Sequence, residues 1–367
     1  MTPTPVPLGR PARVAFVGLG KIYELDSRGY RDNPDCEVVA LVDPRDDLQA
    51  LRAPDFPGAR LCASLEELLE DPPDLAVVLV PPKHHTDVTC RLLEAGVHVT
   101  LQKPYCHTLE EAARMGAARD ASGRVLRLQE NYICYPPLRR LRQIVRDGDI
   151  GEVAGFHMKM VGTGLGGWDV PWQSLMWQFE QAQQGRGILV FDDGWHKLAV
   201  AQWMFGPVVE VMAWIGDTPL GGGHGMDAPT IVAWQHANGV RGAWDISIAP
   251  QMYLRSDYYT NDERFEVTGS HGFARVNRCT GRGIQEPSLE VYRDGVMTAH
   301  HALDDDWATG FRDGGRDFLA WLVHGTPAPE SDEPNGMPHW SAENAEHLLR
   351  FMLAIYESSE SGRRVRI

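Results

Sequence analysis

The chain has 367 residues, of which 43 % are hydrophobic and 23 % are charged. This composition is typical of a globular protein, and at roughly 150 residues per domain it predicts two domains. The 50 acidic residues outnumber the 35 Lys and Arg residues and give a net charge of −15. Such a charge repels phosphate backbones, so we expect no nucleic-acid partner.

Six cysteines are scattered through the chain without a C-x-x-C pair. This pattern predicts neither a disulfide framework nor a metal site, and it indicates a reducing, cytoplasmic location. Residues 1–12 contain four prolines and no apolar run, so we expect a flexible tail rather than a signal peptide. Because no apolar run approaches the ~18 residues that a membrane span needs, we expect a soluble protein.

Short apolar strands alternate with helix-like stretches in the first third of the chain. Ser64 and Thr108 are each followed three residues later by a glutamate, which is a capping-box signal for the start of a helix. Gly96 is placed to end the helix before it. Buried strands separated by helices predict a doubly wound parallel sheet, and its ligand crevice lies at the carboxyl ends of the strands. The five predicted strands are residues 13–17, 37–43, 74–81, 97–104 and 124–130.

A glycine turn follows the first strand, and an acidic residue ends the second. Gly18 permits a tight turn, and Gly20 lets the backbone approach a pyrophosphate. Asp43 can accept both ribose hydroxyls of NAD, although Arg45 nearby leaves NADP possible. Tyr23 stands where the fingerprint has a third small residue. These features predict a Rossmann NAD(P)-binding domain over residues 13–130, whose turn supplies the cofactor-binding candidates Gly18, Gly20, Lys21 and Ile22.

After residue 130 the pattern changes to strands in succession. In residues 153–161, Phe156, Met158 and Met160 alternate with polar residues, which predicts a strand with one buried face. Further strand-like runs follow with few helices between them, and two helices close the chain near residues 311–325 and 341–359. Residues 131–367 are therefore predicted to form a second, α+β domain with a large, mostly antiparallel sheet.

Candidates for the chemistry come from two places. The third and fourth strands end in residues 80–85 and 102–104, and in a parallel sheet both ends face the same crevice. Much later, Asp192 and His196 are four residues apart and would share one face of a helix. A histidine beside a carboxylate supplies the base that oxidation of an alcohol needs.

With these motifs in order, the sequence resembles the Gfo/Idh/MocA oxidoreductase family, the group of glucose–fructose oxidoreductase and inositol dehydrogenase. The resemblance covers nearly the whole chain from Arg13. It rests on residues 18–23, 80–85, 102–104, 149–152 and 192–196.

The resemblance implies a catalytic group of Lys103, Asp192 and His196. His196 would take the hydroxyl proton while hydride passes to the nicotinamide, Lys103 would stabilise the charge on the oxygen, and Asp192 would orient substrate and imidazole. It also implies that the open sheet joins subunits into a homodimer or homotetramer. The remaining cofactor-binding residues that it implies are Pro81, His85 and Gln102.

Gln102 departs from the family pattern, which has a glutamate before the lysine. Without that carboxylate, Lys103 would give up a proton more easily and could share the base role with His196. An unchanged pH–rate profile in Gln102→Glu would disprove this hypothesis.

The substrate side is predicted from a glycine- and tryptophan-rich stretch between residues 162 and 177. Indole faces suit the apolar face of a sugar ring, and Trp168 and Trp172 are the candidates. Asn131 and Tyr132 follow the last strand of the first domain and are further candidates. Should the substrate be anionic, the basic candidates are His157, Lys159 and Arg186.

Three functions remain open. The first is an NAD(P)-dependent dehydrogenase for a ring hydroxyl of a sugar, cyclitol or glycoside. The second is an NAD-dependent glycosidase acting by oxidation, elimination, hydration and reduction on a sugar or sulfosugar glycoside, with Asp193 or Tyr132 as the extra acid or base. The third is a regulatory sensor for dinucleotide and sugar, which would not need the set of Lys103, Asp192 and His196.

Overall fold

A computed structural model describes residues 6–170, 172–221, 224–282, 286–329, 331, 333, 335–337 and 340–367. The chain divides into two compact units. The first unit consists of residues 1–131 and 311–349, and the second of residues 132–310 and 350–367. Each unit has its own sheet.

The described residues form strands and helices that we number in chain order. The strands are β1 Ala12–Val17, β2 Cys36–Val42, β3 Arg60–Cys62, β4 Leu75–Val78, β5 His98–Gln102, β6 Leu126–Gln129, β7 Val153–Leu165, β8 Val208–Ile215, β9 Thr218–Gly221, β10 His224–Met226, β11 Thr230–His236, β12 Arg241–Tyr253, β13 Asn261–Gly269, β14 Gly272–Val276, β15 Leu289–Arg293, β16 Val296–His300, β17 Trp340–Ser341 and β18 Val365–Arg366. The α-helices are α1 Tyr23–Asp26, α2 Asp46–Arg52, α3 Leu65–Leu69, α4 His85–Glu94, α5 Leu109–Ser122, α6 Pro136–Arg146, α7 Trp172–Gln183, α8 Gly194–Phe205, α9 Thr309–His324 and α10 Ala342–Ser361.

The sheet of the first unit has the order β17-β6-β5-β4-β1-β2-β3. Its six strands from β6 to β3 pair in parallel, and β17 joins the edge antiparallel to β6. The predicted Rossmann fold is therefore confirmed. β3 was not among the predicted strands, because its three residues are too few to show a strand pattern.

Local capping explains where two of the helices begin. The Thr108 side chain accepts a hydrogen bond from the Glu111 N–H, and the Glu111 carboxylate accepts one from the Thr108 N–H. Ser64 caps α3 by accepting from the Glu67 N–H. Gly96 lies just past α4 with a φ of +79°, a conformation that favours glycine at a helix end.

The first unit also takes in residues 311–349 from late in the chain, whereas the sequence prediction placed them with residues 131–310. Buried side chains of α9, including Phe318 and Leu322, pack in one apolar cluster with Val14 and Phe16 of β1. The apolar face of α9 is therefore covered by the sheet of the first unit.

Part of the segment predicted as a flexible tail is bonded to the first unit. The Leu8 and Gly9 N–H groups donate to the carbonyls of Leu322 and Val323 at 3.1 and 3.0 Å. Arg10 pairs with Asp74 at 2.6 Å. These bonds hold residues 8–12 against the first unit, whereas residues 1–5 lie outside the described residues.

The second unit contains a nine-stranded sheet with the order β16-β15-β14-β13-β7-β12-β11-β8-β18. β7 and β12 pair in parallel and the other neighbours pair antiparallel, so the mostly antiparallel sheet is confirmed. Phe156, Met158 and Met160 of β7 are buried as predicted, and Lys159 between them is exposed. The sheet therefore has one covered face and one open face. Among the described residues, no helix is both long and apolar enough to cross a membrane.

We predict that Phe318→Ala lowers the free energy of unfolding by ~3–5 kcal/mol, because it leaves a cavity beside β1. Phe318 is fully buried, and the Arg127 guanidinium lies 4.1 Å from its ring centre. Urea denaturation would measure the change. The control is Arg316→Ala, an exposed site on the same helix, which should change stability by no more than ~0.5 kcal/mol. Equal effects of the two variants would contradict the placement of α9 in this core.

Candidate cofactor and catalytic site

The turn after β1 contains two glycines whose surroundings differ. Gly18 has a φ of +98°, and a Cβ there would lie 2.8 Å from the backbone of Leu79. A Cβ on Gly20 would meet nothing within 4 Å, so this position leaves open space in front of the turn. Tyr23, in place of the third small residue, is fully buried and packs edge-on against Phe16 at 5.1 Å. It therefore fills the space between α1 and the sheet.

Asp43 follows β2 and holds the turn directly. One carboxylate oxygen accepts from the Leu19 N–H at 2.9 Å, and the other accepts from the Arg45 N–H at 3.0 Å. The Arg45 guanidinium pairs instead with Asp47 at 2.6 Å. Of the remaining turn candidates, Lys21 pairs with Glu24 at 2.8 Å and Ile22 immediately precedes α1.

His85 ties together the loops that follow β4 and β5. Its ring nitrogens lie 2.9 Å from the Val80 carbonyl and 2.8 Å from the Pro104 carbonyl. Burial lowers the pKa of His85 to about 4, so the ring is neutral at physiological pH and can donate to only one of the two carbonyls. His85 thus braces the loop that carries Lys103, while Pro81 beside Val80 is exposed.

Gln102 connects Lys103 to a buried carboxyl group. The Gln102 amide nitrogen donates to Asp26 at 2.8 Å, and the Gln102 amide oxygen accepts from the Lys103 N–H at 2.8 Å. Gln129 donates to the other oxygen of Asp26. The contact between Gln102 and Lys103 therefore holds the backbone at the end of β5.

Asp26 is fully buried, and its surroundings set its charge. Burial raises the pKa of Asp26 to about 7, against the opposing effects of the Gln102 hydrogen bond and the positive charge of Arg127. A glutamate at position 102 would place a second carboxyl group beside Asp26. Glutamine at this position avoids the repulsion that two neighbouring buried carboxyl groups would have.

Asn131 ends the first unit and is 2 % exposed. Within the described part of the chain, neither its amide nitrogen nor its amide oxygen has a hydrogen-bond partner. A buried amide in this state costs free energy unless a ligand or water satisfies it. Asn131 is therefore suited to contact a ligand at the carboxyl edge of the sheet.

In the second unit, Asp192 and His196 lie on either side of a change in helix type. Residues Ile188–Asp193 form a π-helical turn, and α8 begins at Gly194. This wider turn is of a type that occurs frequently at functional sites, and it contains Asp192, which was expected to share a helix face with His196 if the segment were one regular helix. Asp192 accepts a hydrogen bond from Gln178 of α7 at 2.8 Å, and both Asp192 and His196 are buried.

Beside His196 lies a buried ion-pair group that the sequence analysis missed in part. The Lys197 ammonium is 2.6 Å from Asp193 and 2.6 Å from Glu263. The Tyr132 hydroxyl donates to Glu263 at 2.7 Å, and its ring stacks on His196 with centres 4.5 Å apart. Tyr132 and Asp193 were predicted, whereas Lys197 and Glu263 were not. One signal for Lys197 was available, because the chain has only five lysines and this one directly follows His196.

An aromatic row extends from Tyr132 toward Trp168. Trp307 lies between Tyr132 and Tyr259, with ring-centre distances of 6.1 and 5.8 Å. Tyr259 then meets the half-buried Trp168 edge-on at 5.4 Å. The row joins the predicted substrate residues Tyr132 and Trp168, and it includes two aromatic residues that sequence reasoning missed.

One predicted substrate residue, Lys159, does not join this group. Lys159 points to the open face of the sheet, because Met158 and Met160 on either side of it face the covered side. Glu263 and Phe265 lie opposite Met160 and Met158 in the register of β13, so Lys159 is on the side away from them. The side chain of Trp172 lies outside the described residues.

Comparison with known proteins identifies the family. Residues 12–130 match the model of the GFO/IDH/MocA oxidoreductase family with an NAD-binding Rossmann fold. Residues 138–275 match the GFO/IDH/MocA C-terminal domain. The chain belongs to the GFO/IDH/MocA oxidoreductase family. Its first unit is accordingly an NAD-binding domain.

Individual relatives are similar to this chain over part of their length. A levoglucosan dehydrogenase from Pseudarthrobacter phenanthrenivorans is 27 % identical over 259 residues, covering 64 % of this chain and 63 % of the relative. A D-glucoside 3-dehydrogenase from Escherichia coli is 29 % identical over 199 residues, covering 53 % of this chain and 54 % of the relative. The matches thus span less than two thirds of these relatives.

Solved structures share the fold of the whole chain. An oxidoreductase from Agrobacterium radiobacter, in complex with NAD+, L-tartaric acid and magnesium, superposes with a TM-score of 0.78 and 18 % identity. The superposition covers 97 % of this chain and 98 % of that structure.

The two turn glycines allow a test of NAD binding separate from folding. We predict that Gly20→Ala folds with unchanged stability, since the new Cβ meets open space, but binds NAD at least about tenfold more weakly because the Cβ occupies the approach of the pyrophosphate. Calorimetric titration and thermal unfolding would measure both. Gly18→Ala should lose stability as well, since its Cβ would collide with the Leu79 backbone. Wild-type affinity in Gly20→Ala would refute the assignment.

Asp26 makes stability depend on pH in a defined direction. Its raised pKa means that the unfolded chain releases a proton that the folded protein keeps. Stabilisation from Asp26 is therefore complete below about pH 4 and is lost as the pH rises to about 7, by at most ~1.4 kcal/mol per pH unit.

The measurement is the difference in the free energy of unfolding between wild type and Asp26→Asn from pH 4 to pH 8. We expect the wild type to lose stability relative to Asp26→Asn as the pH rises to about 7. Above that pH the difference should stay constant. The exposed Asp87→Asn serves as the control. A difference that does not vary with pH would show that Asp26 has an ordinary carboxyl pKa.

Proposed function

We propose that this protein is an NAD-dependent dehydrogenase that oxidises a ring hydroxyl of a neutral sugar, cyclitol or glycoside. The observation that carries the proposal is the second unit's buried His196, four residues from Asp192 and stacked on Tyr132, in a chain whose first unit binds NAD. An imidazole accepts the hydroxyl proton near neutral pH.

The first unit supplies residues that fit the cofactor. Gly18 and Gly20 would admit the pyrophosphate, because the turn is tight at one and open at the other. The Asp43 carboxylate would accept the ribose hydroxyls, and it would repel a 2′-phosphate, which favours NAD over NADP. Asn131 would satisfy its buried amide on the cofactor or the substrate. When bound, NAD+ supplies the hydride acceptor.

The protein residues divide the proton chemistry between them. His196 would remove the hydroxyl proton, and Asp192, held by Gln178, would orient the substrate. Lys103 would donate a hydrogen bond to the substrate oxygen and stabilise negative charge as it develops. Gln102 and His85 would keep the Lys103 loop in place through their backbone contacts.

The aromatic row supports a carbohydrate substrate. Tyr259 and Trp168 meet edge-on and are only partly buried, so their rings can contact the apolar C–H face of a sugar. Trp307 connects them to Tyr132, which stacks on His196. This supports a substrate whose ring is held on one face while a hydroxyl reaches the base.

Charge supports a neutral substrate. Asp192, Asp193 and Glu263 provide three carboxyl groups in the second unit, and Lys197, the cation bonded to two of them, is 1 % exposed. Lys159, offered earlier as a contact for an anionic group, is on the other face of the sheet. An anionic sugar would be repelled by this arrangement, so we place sulfosugars and uronates outside the substrate range.

The glycosidase alternative is less well supported. It needs an additional acid or base, for which Asp193 and Tyr132 were the candidates. Asp193 pairs with Lys197, and the Tyr132 hydroxyl donates a hydrogen bond to Glu263. Burial and the nearby Glu263 raise the pKa of Tyr132 well above its ordinary value, so the phenol keeps its proton. A sensor function would leave the Asp192 and His196 arrangement without a role.

We also propose a homodimer or homotetramer joined through the open face of the second unit's sheet. Ile231 and Trp214 face each other in register on β11 and β8 and are 50 % and 58 % exposed. Large apolar side chains in such a pair favour burial against a second copy.

The test is to incubate the protein with NAD+ and neutral sugars, cyclitols, uronates and nitrophenyl glycosides while following NADH and aglycone together. We expect NADH to rise with a neutral polyol, and His196→Gln to lower kcat by at least about 100-fold with NAD affinity retained. The exposed Arg316→Ala serves as the control. Aglycone release without NADH would establish the glycosidase, and NADH formed only with uronates would overturn the neutral substrate.

A further inference from the structure

A group of four side chains, three of them buried and Asp193 half-buried, lies beside the proposed base. Lys197 and Glu263 are each 1 % exposed, and their charged atoms are 2.6 Å apart. Asp193 takes a second bond from the same ammonium at 2.6 Å. Tyr132 completes the group, since its hydroxyl donates to Glu263 at 2.7 Å and lies 3.4 Å from the Lys197 ammonium.

Glu263 is further fixed from its other oxygen. The Thr280 hydroxyl donates to that oxygen at 3.1 Å, and the Thr280 N–H lies 3.3 Å from it. Buried charges are tolerated only when such bonds replace water. Every oxygen of Glu263 thus has a partner, which makes it a rigid anchor for Tyr132.

The group is suited to hold protons rather than to transfer them. Although burial lowers the pKa of Lys197, the carboxylates of Asp193 and Glu263 outweigh burial and raise it overall. The pKa of Tyr132 is also raised, mainly by burial and by Glu263. Both groups therefore keep their protons near neutral pH.

The Tyr132 ring meets the imidazole nearly face to face. The His196 and Tyr132 planes are inclined by 25° with their centres 4.5 Å apart. Trp307 packs against the Tyr132 ring at 6.1 Å and Phe265 at 6.4 Å. With its hydroxyl bonded and its ring packed, Tyr132 presents a fixed aromatic face to the imidazole.

We propose that Tyr132 is a positioning residue for His196, anchored by Glu263 and Lys197, and that its ring face stabilises the imidazolium formed when His196 takes the substrate proton. A cation over an aromatic face is favoured because the ring carries negative charge on its faces. The catalytic role of His196 rests on the proposed function, whereas the stacking can be tested without substrate.

The first experiment follows the His196 ring by NMR as a function of pH, with the signal identified among the 14 histidines by its loss in His196→Gln. In Tyr132→Leu the titration midpoint should move to lower pH by about 0.5 to 1 unit, because the charged ring loses its aromatic partner. Tyr132→Phe retains the ring and should shift the midpoint by less than half as much.

The matched control is Tyr292→Leu, a partly exposed tyrosine of β15 that stacks on Phe273. It should leave the His196 midpoint unchanged. An unchanged midpoint in Tyr132→Leu would overturn the proposal, and so would a shift of the same size in Tyr132→Phe. If Tyr132→Leu fails to fold, Tyr132→Met and the folded Tyr132→Phe are compared instead, and equal midpoints in those two variants would again overturn it.

Kinetics with an accepted substrate provide the second readout. Tyr132→Leu should lower kcat at least about tenfold with little change in KM, and the acidic limb of the pH–rate profile should move with the NMR midpoint. Tyr132→Phe should restore most of kcat. If no substrate is oxidised while the NMR shift is present, the proposed function fails and the stacking stands. If the enzyme is active but the NMR shift is absent, the stacking role fails and the proposed function stands.

The charge-balanced variant Lys197→Met/Glu263→Leu separates anchoring from acid–base chemistry. It removes one positive and one negative charge from the group together. We expect it to retain the acidic limb of the pH–rate profile with kcat lowered by about three- to tenfold. Complete loss of that limb would mean that Lys197 itself exchanges the proton, which would overturn the anchoring role.

Discussion

The pairing of Lys197 with Asp193 and Glu263 is the interaction on which the second unit's candidate site depends. Two carboxylates near each other in a protein interior repel, and the ammonium between them removes the repulsion. Lys197 also links α8 to β13, two elements that approach each other only in the folded unit. Because His196 directly precedes Lys197 on α8, the bond that holds the lysine also sets where the histidine lies.

The first unit also contains a buried carboxyl group, but it accommodates that group without an ammonium partner. Asp26 is buried without a direct ion pair in the hydrogen bonds described for it, and its carboxyl accepts from Gln102 and Gln129 instead. Neutral donors satisfy the oxygens but do not cancel the charge, so burial raises the pKa of Asp26 to about 7. The second unit keeps its buried charges fixed by pairing, whereas the first leaves one group able to titrate near neutral pH.

Much of the architecture could be predicted from local sequence signals. The glycine turn, the acidic residue after the second strand and the cap at Thr108 depend on neighbours within a few dozen residues, and the structure contains each of them. Contacts across long separations could not be predicted in this way. The Tyr132 hydroxyl bonds Glu263 across 131 positions, and nothing near either residue indicates its partner.

Two other expectations differ from the placement of residues in the structure, and each difference has a physical cause. Lys159 was chosen for its charge, but the alternation of β7 sends it to the face opposite Glu263, so the residue type was considered without its direction. Residues 311–349 were assigned by their order in the chain, although the apolar face of α9 packs against β1. Sequence order is a weak guide when a late helix returns to cover an early sheet.

The glutamine at position 102 shows why a departure from a family pattern has to be considered together with its neighbours. From the sequence alone, Gln102 was interpreted as a lost charge beside Lys103. In the structure its amide donates to Asp26 and accepts from the Lys103 backbone, and an ionised glutamate could not do both because a carboxylate only accepts. A glutamate would lose the donor and bring a second carboxyl group to a buried one. The Gln102→Glu change would therefore alter Asp26 and the loop backbone together, and its effect on the pH–rate profile could not be attributed to the Lys103 side chain unless Asp26→Asn were introduced alongside it.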